Sequence, residues 1–190
     1  MKWNEHSNLR GTHAIMSASQ PFWMNDDEQH FIERFNNYEA ALRGSRLHEA
    51  AEKDILFGEE FGITRPANGR TYETYVNDAI KYRMKPEQVL FYSPWAYGTT
   101  DAISFRRNLL RIHDLKTGKT PGKIEQLYIY AALFCLEYNY KPGTIKMELR
   151  IYQDNQVGIW TPTAEEIAPI MDLIVKRTEL IRRYLNMEEL

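Results

Sequence analysis

The sequence predicts a domain of mixed α and β structure, α+β or α/β, with helices packed on a small central mixed sheet. Three observations carry this. Ile145, Met147, Leu149 and Ile151 alternate with Lys146, Glu148, Arg150 and Tyr152, the pattern of a half-buried strand. Two apolar-rich runs, Ala102–Phe105 and Leu109–Leu115, flank the short polar link Arg106-Arg107-Asn108 and read as a β-hairpin. Elsewhere apolar residues recur at helical spacing.

In chain order, residues 1–25 form a non-periodic lead-in with Trp3, His13, Ile15, Met16, Phe22 and Trp23, broken by Pro21. A helix begins at Asn25-Asp26-Asp27, a cap and first-turn acids suited to the positive end of the dipole. Its stripe is Phe31, Ile32, Phe35, Tyr38 and Leu42. Gly44 is expected to interrupt it, with a second helix over 45–56 burying Leu47, Ala50, Ala51 and Ile55. His48 and Glu52, four apart, share another face of that helix as a surface or packed pair, with Glu52 a partner or an alternative ligand. After a Gly/Pro loop, residues 71–83 form a third helix with Tyr72, Tyr75, Val76 and Ile80 on one side. Met84-Lys85-Pro86 ends it, 89–92 is a strand, and Pro94 to Gly98 leads into the hairpin. Trp95 and Tyr97 there suit either base stacking or the core. A basic loop, Lys119-Thr120-Pro121-Gly122-Lys123, precedes a helix over 123–138 with Leu127, Tyr130, Ala131 and Phe134 inward. Asp154-Asn155 turns the alternating strand back into 157–160. Thr163 and Glu166 make a capping box for a final helix within 161–190, whose apolar residues run from Ile167 to Leu185. That stripe suits an oligomer contact or the protein's own sheet equally.

At 190 residues, 43% hydrophobic and 26% charged, the chain fits a single globular domain over 1–190 and can bury a core. No apolar run approaches the roughly 20 residues that span a bilayer, and the N-terminus lacks a signal-peptide core, so a soluble cytoplasmic protein without membrane contact is expected. Cys135 is the only cysteine, which excludes disulfides and cysteine-ligated clusters within one chain. A net charge of −2 excludes bulk electrostatic binding of nucleic acid and leaves phosphate contact to a local patch.

The hairpin carries the chemistry. If its turn centres on Arg107-Asn108, Arg106 faces Leu109, and counting outwards sets Asp101 opposite Asp114. Directly opposed side chains have Cβ atoms about 4.5–5.5 Å apart, where like charges destabilise a sheet. The pair calls for a cation, and Lys116, two residues past Asp114, shares its face. Two carboxylates and an ammonium on one patch suit a divalent metal and a phosphate. Taken alone, Asp-x-Lys in a strand more commonly serves as a solvated ion pair. Gln126 and Tyr130 share one face of the following helix.

The order Gly44-x-x-x-His48, Gly98-x-x-Asp101, Asp114-Leu115-Lys116-Thr117-Gly118 and Gln126-x-x-x-Tyr130 resembles the RecB-type branch of the PD-(D/E)XK nuclease superfamily, which includes the CRISPR adaptation nucleases. The match covers roughly residues 15–160. It implies a restriction-endonuclease-like core and a metal held by His48, Asp101, Asp114 and the carbonyl of Leu115. It further implies that Lys116 orients or activates the attacking water, with Gln126 and Tyr130 along the cleft, so that Asp101, Asp114, Lys116, Gln126 and Tyr130 form the catalytic set. Carboxylates with water suit magnesium, and an imidazole tilts the preference towards manganese. Arg106, Arg107, Arg111, Lys119 and Lys123 flank these residues in sequence; each is either a contact to the DNA backbone or solvated surface charge.

The resemblance implies a metal-dependent deoxyribonuclease, an exonuclease in recombination, replication or repair, acting on DNA alone or with a recombination or single-strand-binding protein. The alternatives are a non-catalytic DNA-binding or protein-interaction module on the same fold, and an RNase or structure-specific endonuclease. Thr100 replaces the proline of the superfamily's name, and the branch's four-cysteine iron–sulfur cluster is unmatched. No Gly-rich phosphate loop is present. Met16-Ser17-Ala18-Ser19 resembles stand-alone phage members.

Overall fold

The strictest alternation in the sequence becomes an inner strand of a five-stranded sheet. The computed structural model describes residues 14–18, 21–62 and 70–188. The loop expected around 62–69 therefore lies mostly outside the described residues, as do Trp3, His13 and Ser19 of the lead-in. The strands are β1 (Lys85–Ser93), β2 (Ala96–Arg106), β3 (Leu109–Leu115), β4 (Lys146–Gln153) and β5 (Gln156–Trp160), and they lie side by side in chain order. Every neighbouring pair is antiparallel except β3 and β4, which run parallel. A parallel pair needs a crossover, and helix α3 (Ile124–Glu137) supplies it. The other helices are α1 (Glu28–Phe57), α2 (Thr71–Lys81) and α4 (Ala164–Glu188). The mixed α/β class read from the sequence is the class observed. Among the described residues no helix is long and apolar enough to cross a membrane.

The chain divides into two compact units, Met1–Ser45 and Arg46–Leu190, and α1 contributes residues to both. In the first, Asp27 caps α1 by accepting the His30 N–H at 2.8 Å. Asp26 pairs with Arg34, and the Trp23 indole donates to the Ser17 carbonyl at 3.2 Å. In the second, one core lies between the sheet and α3, with Leu90, Ile103, Leu110, Ile112, Leu127, Leu133, Leu149 and Ile151 buried and α4 joining through Ile167. Another gathers Ala51 and Ile55 of α1, Tyr75, Val76 and Ala79 of α2, and Ala102, Leu115 and Tyr152 of the sheet.

Several local expectations are corrected. Gly44 lies inside α1 instead of dividing two helices; an interior glycine costs about 1 kcal/mol, a penalty but not a break. Ile32, Phe35 and Leu47 keep helical spacing yet are exposed. Strand β1 starts at Lys85, four residues before the apolar run that marked it, and includes Pro86, which an edge strand tolerates. Tyr97 and Gly98 belong to β2 itself, and Trp95 and Tyr97 are exposed, Tyr97 stacking on Phe91.

Turn chemistry is where the sequence was most informative. Arg107 and Asn108 have φ of 50° and 61°, and Asp154 and Asn155 have 48° and 63°. Two consecutive residues at positive φ match the strand twist in two-residue hairpins. At α4 the Glu166 carboxylate accepts the Thr163 N–H at 2.8 Å, the expected box.

Candidate metal centre

With Arg106 paired to Leu109, the β2–β3 register runs to Ala102 opposite His113, and one further step sets Asp101 opposite Asp114. On the other side, the pairs Pro86–Ala102 and Gln88–Thr100 bracket Glu87 and Asp101, which therefore oppose each other too. Three acids thus occupy one row across β1, β2 and β3. The backbone ladder lapses along this row. Glu87 adopts φ 47°, in the left-handed region, and the Leu115 N–H donates to Asp101 Oδ2 at 2.7 Å. A carboxylate standing in for a strand carbonyl ties β2 to β3 where their pairing ends.

Asp114 is held from the side. Its side chain is 3% exposed, and the Lys116 ammonium lies 3.0 Å from Oδ2 and 3.1 Å from Oδ1. Only Oδ1 has hydrogen-bond geometry, so Oδ2 is buried without a hydrogen-bond partner. Lys116 also donates to Gln126 Oε1 at 2.9 Å, and Gln126 Nε2 donates to the Tyr130 hydroxyl at 3.2 Å. The i, i+4 pair on α3 thereby reaches β3 through the lysine. A cleft of about 300 Å³ lined by Leu47, Tyr72, Leu115, Lys116 and Asn155 opens beside it.

Two glycines make room for this chain. A Cβ on Gly98 would stand 2.9 Å from Tyr130 Cε1, so the ring rests on bare backbone. One on Gly122 would stand 3.0 Å from Lys116 Cγ and 3.0 Å from Ile151 Cγ2. The Gly122 loop is pinned by Gln153, whose amide oxygen accepts the Gly122 N–H while its nitrogen donates to the carbonyls of Gly118 and Thr120.

His48, on α1, brings Nδ1 to 3.5 Å from Asp101 Oδ1. His48, Glu87 and Asp101 each offer a donor atom, all within 4.8 Å of one another. Glu87 was missed by sequence reasoning; had Pro86 been read as strand, counting from Asp101 would have found it. Asp114 adjoins this trio through Asp101. Leu115 donates its N–H to Asp101 and buries its side chain in the second core, and Glu52 contributes charge near Glu87.

The electrostatics follow the crowding. Burial, then the Asp101 charge, pushes the Asp114 carboxyl up to about 6. Burial and Asp101 also raise Glu87. The bond to Asp101 raises His48. The site holds extra protons for want of positive charge, and its oxygen and imidazole donors, with the orphaned Oδ2 of Asp114, fit a hard or borderline divalent cation.

The basic residues separate. Lys119 and Lys123 are exposed on the loop that follows β3. Arg106 and Arg107 stand at the turn end of the hairpin, five or six residues from Asp101. At about 3.3 Å per residue that is roughly 17–20 Å away. Arg111 is committed to Glu148 at 3.0 Å and lies over the Tyr82 ring. No protein-family model matches the chain, and no curated protein matches it significantly.

Proposed function

We propose that the chain is a divalent-metal-dependent nuclease hydrolysing DNA phosphodiester bonds, of the RecB-type branch of the PD-(D/E)XK superfamily. One observation carries the reading: a row of three acids with His48 beside it, and a lysine fixed between the most buried acid and Gln126. A structural ion pair needs one carboxylate and one cation. It has no use for two further acids and an orphaned oxygen.

In this reading His48, Glu87 and Asp101, with Asp114 beside them, would hold magnesium or manganese, and the Leu115 carbonyl would be a further donor of the family pattern. The ion would supply Lewis acidity and lower the pKa of a bound water. Asp114 and Gln126 fix the Lys116 ammonium, so its charge faces the developing phosphate charge without reorganising. Tyr130 holds the Gln126 amide and so sets which way Gln126 presents its oxygen. Asp101 keeps the two strands together by accepting the Leu115 N–H. Exonuclease action in recombination, replication or repair is the form the motif order favours.

The test is digestion of end-labelled linear and closed circular DNA, single- and double-stranded, with manganese, magnesium or EDTA. Metal-dependent loss of linear DNA is expected, and Asp114→Ala should abolish it. Cleavage at the wild-type rate by Asp114→Ala would overturn the site. Binding without cleavage in any lane would leave a non-catalytic DNA-binding module.

A further inference from the structure

The turn end of the hairpin bears a second feature that the acid row does not use. A groove of about 840 Å³ is lined by Lys81, Arg83, Arg106, Arg107, Arg111 and Lys146, with Tyr82, Phe105 and Leu109 between them. No acid lines it. Arg111 is paired with Glu148, but among the described residues the other five cations have no carboxylate partner. A chain of net charge −2 thus gathers five unneutralised cations in one concavity. Their mutual repulsion is unfavourable unless an extended anion offsets it.

The groove is preformed. Arg107 and Asn108 form the tight turn, the Asn108 carbonyl accepts the Lys146 N–H at 2.9 Å, and the Asn108 side chain donates to the Thr144 carbonyl. Arg83, at φ 51°, follows α2 directly. A second pocket of about 380 Å³ adjoins it, sharing Arg83, Phe105 and Arg106 and adding Phe134, Tyr138 and Tyr140. Tyr138 is half exposed, and the rings of Phe105, Phe134 and Tyr140 pack on one another beneath it. Cations that track a backbone beside an aromatic recess are the combination that binds unpaired bases. A duplex has no free base face for the recess, and a membrane surface does not enter a concave groove.

We propose that this groove holds single-stranded nucleic acid away from the acid row, phosphates along Lys81, Arg83, Arg106, Arg107 and Lys146 and a base against Tyr138. Nucleic acid as the anion rests on the nuclease reading; the groove's preference for an extended anion does not.

The test measures fluorescence anisotropy of the full chain with a labelled single strand of roughly 16 nucleotides and its duplex, in EDTA, across a salt series. The single strand should bind more tightly than the duplex. Arg106→Glu/Arg107→Glu should weaken it at least tenfold and lower the salt slope by about 1.4, two contacts at 0.7 each. Tyr138→Ala should weaken the single strand several-fold and spare the duplex. Circular dichroism melting serves as the fold control. Wild-type affinity in the double variant overturns the proposal. So does equal loss on both substrates in Tyr138→Ala, or binding only to mixed phosphatidylcholine–phosphatidylserine vesicles. The two readings fail separately. Cleavage with manganese alongside groove variants that bind normally removes the groove alone. Groove-dependent binding without cleavage removes the nuclease alone.

Discussion

Asp114 pairs with Lys116 and still holds its proton up to about pH 6, because burial and the facing Asp101 outweigh the ammonium. That balance makes two predictions at the residue scale. The shift from 3.8 to about 6 corresponds to roughly 3 kcal/mol against the ionised form at neutral pH. Asp114→Asn should therefore stabilise the metal-free protein at pH 7 by up to about that much, read by urea denaturation, while lowering metal-dependent cleavage by on the order of 10²-fold or more. Loss of stability in the variant would mean that the Lys116 contact outweighs burial. Gly98→Ala should push the Tyr130 ring from its seat and cost about 1–3 kcal/mol. Combining it with Tyr130→Ala should give a coupling above about 0.5 kcal/mol in a double-mutant cycle. Additive effects would show that the ring moves aside freely.

At the scale of elements, the hairpin was legible because an Arg-Asn turn fixes the register and a period of two does the rest. Asp101, Asp114 and Lys116 could be counted out from it, and Gln126 with Tyr130 from the helical period. Glu87 could not, because Pro86 ahead of an apolar run looks like a boundary until the strand is known to be an edge. Gly44 misled for a related reason: glycine punctuates turns and also sits within helices, and sequence does not say which. Gly98 stood in the motif without a reason until Tyr130 was found upon it. Gln153 has no local signature in the sequence, because its three hydrogen bonds to one loop all reach residues more than thirty positions away. Its replacement by Ala should speed tryptic cleavage after Lys119 and Lys123 several-fold with little change in melting temperature. An unchanged cleavage rate would show that the loop is ordered without Gln153.

For the whole molecule, the acid row, His48 and the buried His113 set the pH dependence. Asp114 and Glu87 are raised, so the folded state binds more protons than the unfolded chain between the ordinary carboxylate range and about pH 6. Stability is then lost as pH rises through that window. His48 is raised as well, so the stability it contributes is present below its ordinary value near 6.5 and also lost as pH rises. Buried His113 opposes them: burial holds it well below its ordinary value near 6.5, so stability that depends on its neutral form is lost as pH falls through that value. Saturating manganese should raise the melting temperature more at pH 7.5 than at pH 5.5, because it binds the deprotonated acids and stabilises the fold by mass action. A melting temperature indifferent to manganese at pH 7.5 would argue against the centre.

Glu87 reaches the centre from β1, which has a neighbour on one side only, and it stands where that strand's own ladder lapses. An edge strand is among the first parts of a sheet to open. Without an ion, β1 amides near Glu87 should exchange with deuterium well before those of β3 and β4, and loading manganese should slow them selectively. The chain would then have a latch whose fastening depends on the ion: its least secure strand becomes secure when the centre is filled, with the rest of the sheet untouched.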